Sequence, residues 1–271
     1  MNHRRESAIT LTIFMALLVG FSAVGYWLIF RLESATPLMM SVGFAAIVTC
    51  LIRRRDLASL GWGWGAWRYQ WLSYALPLGT ITAAYLLIWA GGFGEWYDAS
   101  FVLEKKQDYH LDEWSNDAVI LFHFLVTATL SFLLLLPSVL GEELGWRGYA
   151  QTRLQTRWNP MVAGIVVGMI WALWHLPLFL MVGTSQHELN MPFVGFFFGL
   201  MAHSILYAWL QNHTDNSIWT AIFFHWIFTY AAQVTATGVT RSALYNWLEY
   251  APYIILAIVI ALIWNKEIKT R

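Results

Sequence analysis

The chain has 271 residues, 58% of them hydrophobic and 12% charged, with a formal net charge of zero. A water-soluble domain carries about 25% charged residues, so this composition excludes an ordinary soluble globular domain. The balanced charge and the lack of a basic stripe exclude nucleic acid as an expected partner, and a lone cysteine, Cys50, excludes an intrachain disulfide or a thiolate metal cluster.

A helix needs about 20 apolar residues to cross the hydrocarbon core. Eight such runs are read in chain order, over 8–30, 36–52, 71–90, 119–140, 161–182, 192–210, 218–235 and 251–264. The first is too long for a signal-peptide core and is read as a span. The predicted fold is all-α: a polytopic transmembrane bundle of about eight spans, with residues 1–271 forming one integral membrane domain. Between the second and third runs, Gly61-Trp-Gly-Trp-Gly-Ala-Trp67 reads as an interfacial anchor. The acidic connection from Gly91 to Asp117 reads as a solvated loop. Asp215 and Asn216 are expected to cap the seventh span.

Basic residues set the expected orientation. Arg4, Arg5, Arg53, Arg54, Arg55, Arg68, Arg147, Arg153, Arg157, Lys266, Lys269 and Arg271 fall on one side of an eight-span arrangement, and Arg31, Lys105, Lys106 and Arg241 on the other. The positive-inside rule then predicts both termini in the cytosol.

Ionisable groups inside hydrocarbon cost about 2.5–3.5 kcal/mol each on insertion scales, so they mark function by default. Three segments carry them: Gly141-Glu-Glu-Leu-Gly-Trp-Arg-Gly148, Trp171-Ala-Leu-Trp-His-Leu-Pro177 and Phe223-Phe-His-Trp-Ile-Phe-Thr229. If the fourth helix runs on to Arg153, Glu142 lies about 16 Å above its exit at 1.5 Å per residue. By the same rise His175 lies about 22 Å above Pro160, and His225 about 12 Å above Ser217. One carboxylate and two imidazoles can thus meet in one layer. The alternative for each alone is structural: a surface ion pair for Glu143 and Arg147 at i, i+4, and core histidines bonded to carbonyls. His123 and His203, on apolar helices, are read as structural.

The three segments together resemble the family of CAAX prenyl proteases and bacteriocin-processing enzymes (CPBP, also called Abi or type II CAAX endopeptidase-like), with flanks like its bacterial branch. The resemblance rests on Glu142-Glu143 with Arg147, Trp171 with His175, and His225 with Thr229, and covers about 135–235 as a motif-bearing core. Two positions depart from the family pattern: Trp171 stands where Phe is usual, and Thr229 where Asn is usual. The resemblance implies an intramembrane endopeptidase in a bacterial cytoplasmic (inner) membrane, acting on a membrane-associated protein or peptide of CAAX or bacteriocin/pheromone type. It implies Glu142 as general base, His175 as its helper, His225 and Thr229 facing the oxyanion, and Glu143 with Arg147 supporting them.

The cofactor stays open at this point. Either no cofactor is required, or Glu142, His175 and His225 hold Zn²⁺ in the manner of a metalloprotease; no HExxH sequence is present. Two other classes also stay open: an inactive membrane scaffold or immunity factor, and a proton-coupled transporter. The transporter class often repeats one half of the chain in the other, yet 1–130 contains none of the glutamate/histidine boxes.

Overall fold

A computed structural model describes residues 3–54, 57–94, 99–184, 187, 192–235 and 243–270. Arg55, Glu95, Asp98, Arg241 and Arg271 fall outside the described residues. All the regular elements described are helical: α1 His3–Leu32, α2 Thr36–Ile52, α3 Trp67–Ala90, α4 Ala99–Tyr109, α5 from Asn116 to Leu154, α6 Pro160–Leu180, α7 Phe193–Asn212, α8 Trp219–Thr235 and α9 Ala243–Thr270.

Six of these are long and apolar enough to cross a membrane: α3, α5, α6 and α7 over their full length, α1 through Ala8–Leu32, and α9 through Trp247–Ile268. Two more, α2 and α8, have 17 residues each, the lower limit for a crossing. The eight apolar runs of the sequence map onto these eight helices. Their ends differ where apolarity is a poor guide. The last helix is longer than its apolar stretch, and Glu and Lys, which stand in its last turns, are good helix formers. The fourth run continues as helix for 39 residues, through all the charges of the first motif.

The starts of the motif helices follow from local chemistry. Ser115 accepts a hydrogen bond from the Ala118 amide and opens α5. Asn159 accepts one from the Val162 amide at 2.9 Å, with Pro160 in the first turn, and opens α6. The expected cap of α8 is corrected: Asp215 and Asn216 adopt left-handed backbone and are exposed. The capping side chain is Ser217, whose hydroxyl accepts from the Trp219 amide at 3.3 Å. The two residues before it are spent on the reversal from α7 to α8. That turn is tied to the α2–α3 connection, since the Ile218 amide donates to the Gly61 carbonyl at 2.9 Å.

The acidic connection is also more ordered than a solvated loop. It contains α4, which buries Val102 and bonds the Tyr109 hydroxyl to His123 Nδ1 at 2.8 Å. Its charges remain at the surface, where Lys105 pairs with Glu104 and Asp108 at 2.7 and 2.6 Å. Burial pulls the Lys105 pKa down, but the hydrogen bonds it donates to both carboxylates, with their negative charge, outweigh it and leave it raised.

Close helix crossings seat the motif helix. On α5, a methyl group added at Gly141 would lie 2.5 Å from Met40 Cα, and one at Gly145 would strike Val42. Small residues let membrane helices approach where apolar burial gives no drive. From Leu144 to Gln151 the helix opens into wider π-type turns, a feature frequent at functional sites. Both Gly141 and Gly145 face α2, so the intervening Glu142 and Glu143 turn to other neighbours.

Several contacts place the N-terminal part of α1, the α2–α3 and α7–α8 connections and the last turns of α9 at one end of the bundle. Glu6 pairs with Arg53 at 3.8 Å. Gly148 packs on the Leu60 carbonyl. His213 Nε2 meets Glu267 at 3.3 Å. The Trp62–Trp67 segment lies at this same end, where Trp219 donates its indole N–H to the Trp62 carbonyl at 3.0 Å. Trp64 meets Trp67 and Phe223 edge to face, so the segment braces the foot of α8.

Candidate active site

Five charged or titratable side chains converge where α5, α6 and α8 meet: partly buried His225 on α8 and four more on α5 and α6. These four are withdrawn from the surface: Glu142 is 4% exposed, Glu143 0%, Arg147 1% and His175 6%. Adjacent positions on a helix point about 100° apart, and the two glutamates accordingly have different partners.

Glu143 is held by two cationic or protic groups. Arg147 Nη1 lies 3.3 Å from both of its oxygens. His225, 82 residues away on α8, brings Nδ1 to 2.8 Å from Oε1. A carboxylate only accepts, so His225 donates through Nδ1 and leaves Nε2 on the opposite side of its ring. The Arg147 guanidinium lies over the Trp171 ring at 4.4 Å and over the Tyr207 ring at 4.6 Å. Aromatic faces attract cations most strongly when both are desolvated, so this arginine is fixed by its pair and by two rings.

Glu142 has other surroundings. Its Oε2 accepts the indole N–H of Trp171. Among the described residues its Oε1 accepts no hydrogen bond. His175 is one turn beyond Trp171 on α6, and its Nδ1 lies 3.0 Å from the Trp171 carbonyl. A carbonyl cannot donate, so Nδ1 carries the hydrogen and the neutral ring presents a free lone pair at Nε2. His175 is within electrostatic reach of both Glu142 and His225. The structure thus brings Glu142, Glu143, Arg147, His175 and His225 into one buried layer. Thr229 is one turn past His225 on α8 and partly buried.

The sequence leaves open a zinc set of Glu142, His175 and His225. Among the described residues, no three His, Cys, Asp or Glu side chains group as a metal-ion site. Glu142 Oε1, His175 Nε2 and His225 Nε2 are not used by the hydrogen bonds that hold these side chains.

Two side chains at the site, Tyr207 and Gln211, escaped the sequence reading, which took their neighbour His203 as structural. His203, Tyr207 and Gln211 recur every fourth residue on α7 and are all buried. Tyr207 stacks on Arg147, and Gln211 donates to the Arg147 carbonyl at 3.0 Å. His203 sits in a nest of Phe224, Phe228 and Tyr253 rings, and among the described residues neither ring nitrogen has a hydrogen-bond partner. Polar residues four apart on an otherwise apolar helix were the available signal.

The family model "Type II CAAX prenyl endopeptidase Rce1-like" matches residues 118–231. That stretch runs from α5 to α8 and holds every residue of the layer just described. This segment of the chain is similar to the Rce1-like family. A relative named CAAX prenyl protease 2, from Methanococcus maripaludis, is 38% identical over 100 residues, which are 35% of this chain and 36% of the relative. The match therefore spans about a third of each protein. The Rce1-like segment contains four of the bundle's eight apolar helices, while α1, α2, α3 and α9 lie outside it.

Proposed function

We propose that the chain is an intramembrane endopeptidase that hydrolyses a peptide bond in a membrane-associated protein or peptide, of the CAAX-protein or bacteriocin/pheromone-processing type. One observation carries this reading. Of two adjacent buried carboxylates, Glu143 is neutralised by Arg147 and held by His225, whereas among the described residues Glu142 accepts only the Trp171 indole N–H and lies within electrostatic reach of His175. A structural ion pair needs only the first glutamate. The second is a desolvated carboxylate within electrostatic reach of an imidazole, an arrangement suited to activating water.

In the proposed reaction Glu142 takes a proton from water through Oε1, and His175 Nε2 orients that water. The water oxygen attacks the scissile carbonyl carbon. The resulting oxyanion is met by the Thr229 hydroxyl and by His225 Nε2–H, a step that uses the imidazolium form of His225, whose Nδ1–H is donated to Glu143. The C–N bond then breaks, and Glu142 returns its proton to the departing amine. Comparative proteomics of membranes carrying the wild type or Glu142→Gln tests the reading on natural substrates. An uncleaved membrane-associated protein is expected in the variant; identical proteomes would favour a scaffold or immunity role.

Thr229 offers one hydroxyl where an amide side chain is usual in the family it resembles. Thr229→Val keeps the shape and removes the donor, and turnover is expected to fall about 10²-fold, as for deletion of an oxyanion donor. Thr229→Asn is expected to retain or raise it. Measured turnover that is unchanged in the valine variant would place Thr229 outside the reaction.

We further propose that the bundle sits in a cytoplasmic (inner) membrane with both termini in the cytosol. The basic residues support this orientation, as does the gathering of the α1 start, the α2–α3 connection and the last turns of α9 at one end. Reporter fusions after residue 270 and within α4 should report cytosol and exterior respectively. An exterior signal from the C-terminal fusion would reverse the assignment.

A further inference from the structure

We propose that Trp171 positions the base: its indole N–H orients the Glu142 carboxylate, while its ring face and that of Tyr207 clamp Arg147, so that one side chain keeps the two glutamates in separate roles. The inference rests on the reading of Glu142 as general base and adds how that base is aimed.

The geometry has three parts. The indole N–H of Trp171 is donated to Glu142 Oε2, which fixes the carboxylate plane and leaves Oε1 directed elsewhere. The carbonyl of the same residue takes Nδ1–H of His175. Trp171 therefore orients both members of the water-activating pair, one through its side chain and one through its backbone. Its ring face lies 4.4 Å from the Arg147 guanidinium, with Tyr207 on Arg147 at 4.6 Å. Arg147 is thereby kept on Glu143.

The physical need is plain. Two carboxylates on consecutive residues compete for one guanidinium, and both are almost fully buried. If Arg147 bridged to Glu142, the base would be neutralised and the water left without an acceptor. An indole is a donor without a formal charge. It can orient a carboxylate without pairing away its negative charge, as a second arginine or lysine would. A phenylalanine at 171 would keep an aromatic face for Arg147 but leave Glu142 without this donor.

Two substitutions separate donor from face. Trp171→Phe removes the N–H and keeps a ring. Incorporation of 3-benzothienylalanine at 171 keeps the whole bicyclic shape and replaces N–H by sulfur, which guards against a folding defect in the first. For both, kcat per folded molecule is expected to fall about 10- to 100-fold, the scale of a misplaced catalytic group. KM and thermal stability of the benzothienyl form should stay near wild type. Trp171→Leu, which loses donor and face, should lose stability as well. An independent readout is the indole N–H proton resonance of Trp171, identified by its disappearance in Trp171→Phe. It should move upfield in Glu142→Ala, where the carboxylate acceptor is gone. A kcat within twofold of wild type for the benzothienyl form would overturn the positioning role while an inactive Glu142→Gln still upheld the base. An active Glu142→Gln would remove both. An indole resonance unmoved in Glu142→Ala would overturn the hydrogen bond itself, whatever the activity.

Discussion

Glu142→Gln is expected to abolish peptide cleavage while leaving folded protein and thermal stability close to wild type. The glutamine oxygen can still accept the Trp171 indole N–H, so the local packing persists. What is lost is the group that takes a proton from water. Removing a general base costs about 10²–10⁴-fold, and here no other carboxylate can replace it. Glu143, the nearest, is held by Arg147 and His225. His175→Ala should lose cleavage likewise, with some loss of stability as well, because the ring packs on Trp174 and Phe196 and its Nδ1–H is donated to the Trp171 carbonyl. The measurement is product formed per folded molecule, with each detergent-solubilised variant quantified. Full activity in Glu142→Gln would remove the proteolytic reading. Loss of activity through Glu143 alone would move the base by one residue.

The second large effect is on stability. Arg147→Ala leaves Glu143 buried with only His225 beside it, and removes a cation packed between two aromatic rings. Breaking a buried pair by deleting one partner costs roughly 3–5 kcal/mol. Glu143→Gln strands the Arg147 charge instead and should cost an amount of the same order. Both variants are expected to lower the thermal midpoint and the yield of folded protein, with activity falling partly as a consequence. A cycle adding Arg147→Met to Glu143→Gln distinguishes pairing from simple loss of volume. The double variant should be destabilised by clearly less than the two singles together, because neither charge is then left alone. Additive losses would mean that the pair does not act as a unit, and would assign the effect of each change to packing.

Much of this protein was set by local features of the chain. Eight apolar runs determine eight helices, because a backbone in hydrocarbon must satisfy its own hydrogen bonds. The cost of burying Glu142, Glu143, Arg147, His175 and His225 singled them out, and their spacing along α5, α6 and α8 put them at compatible depths. The i, i+4 pair of Glu143 with Arg147 was legible for the same reason: it lies on one helix face. Nothing local, however, distinguishes Glu142 from Glu143 beyond a rotation of one residue. Which of them meets His225 and which meets the Trp171 indole depends on how α5 is turned against its neighbours. That rotation is decided by Gly141 and Gly145, which press on Met40 and Val42 of α2 and so turn the two glutamates toward α6 and α8. The helix axis itself changes pitch over Leu144–Gln151, which a uniform 3.6-residue period does not anticipate. The partners that separate the two carboxylates come from 29 and 82 residues away, as Trp171 and His225. Tyr207 closes over Arg147 from a helix that carries no recognised motif. Periodicity reports which face of a helix a residue shares; only the crossing of the helices decides what that face meets.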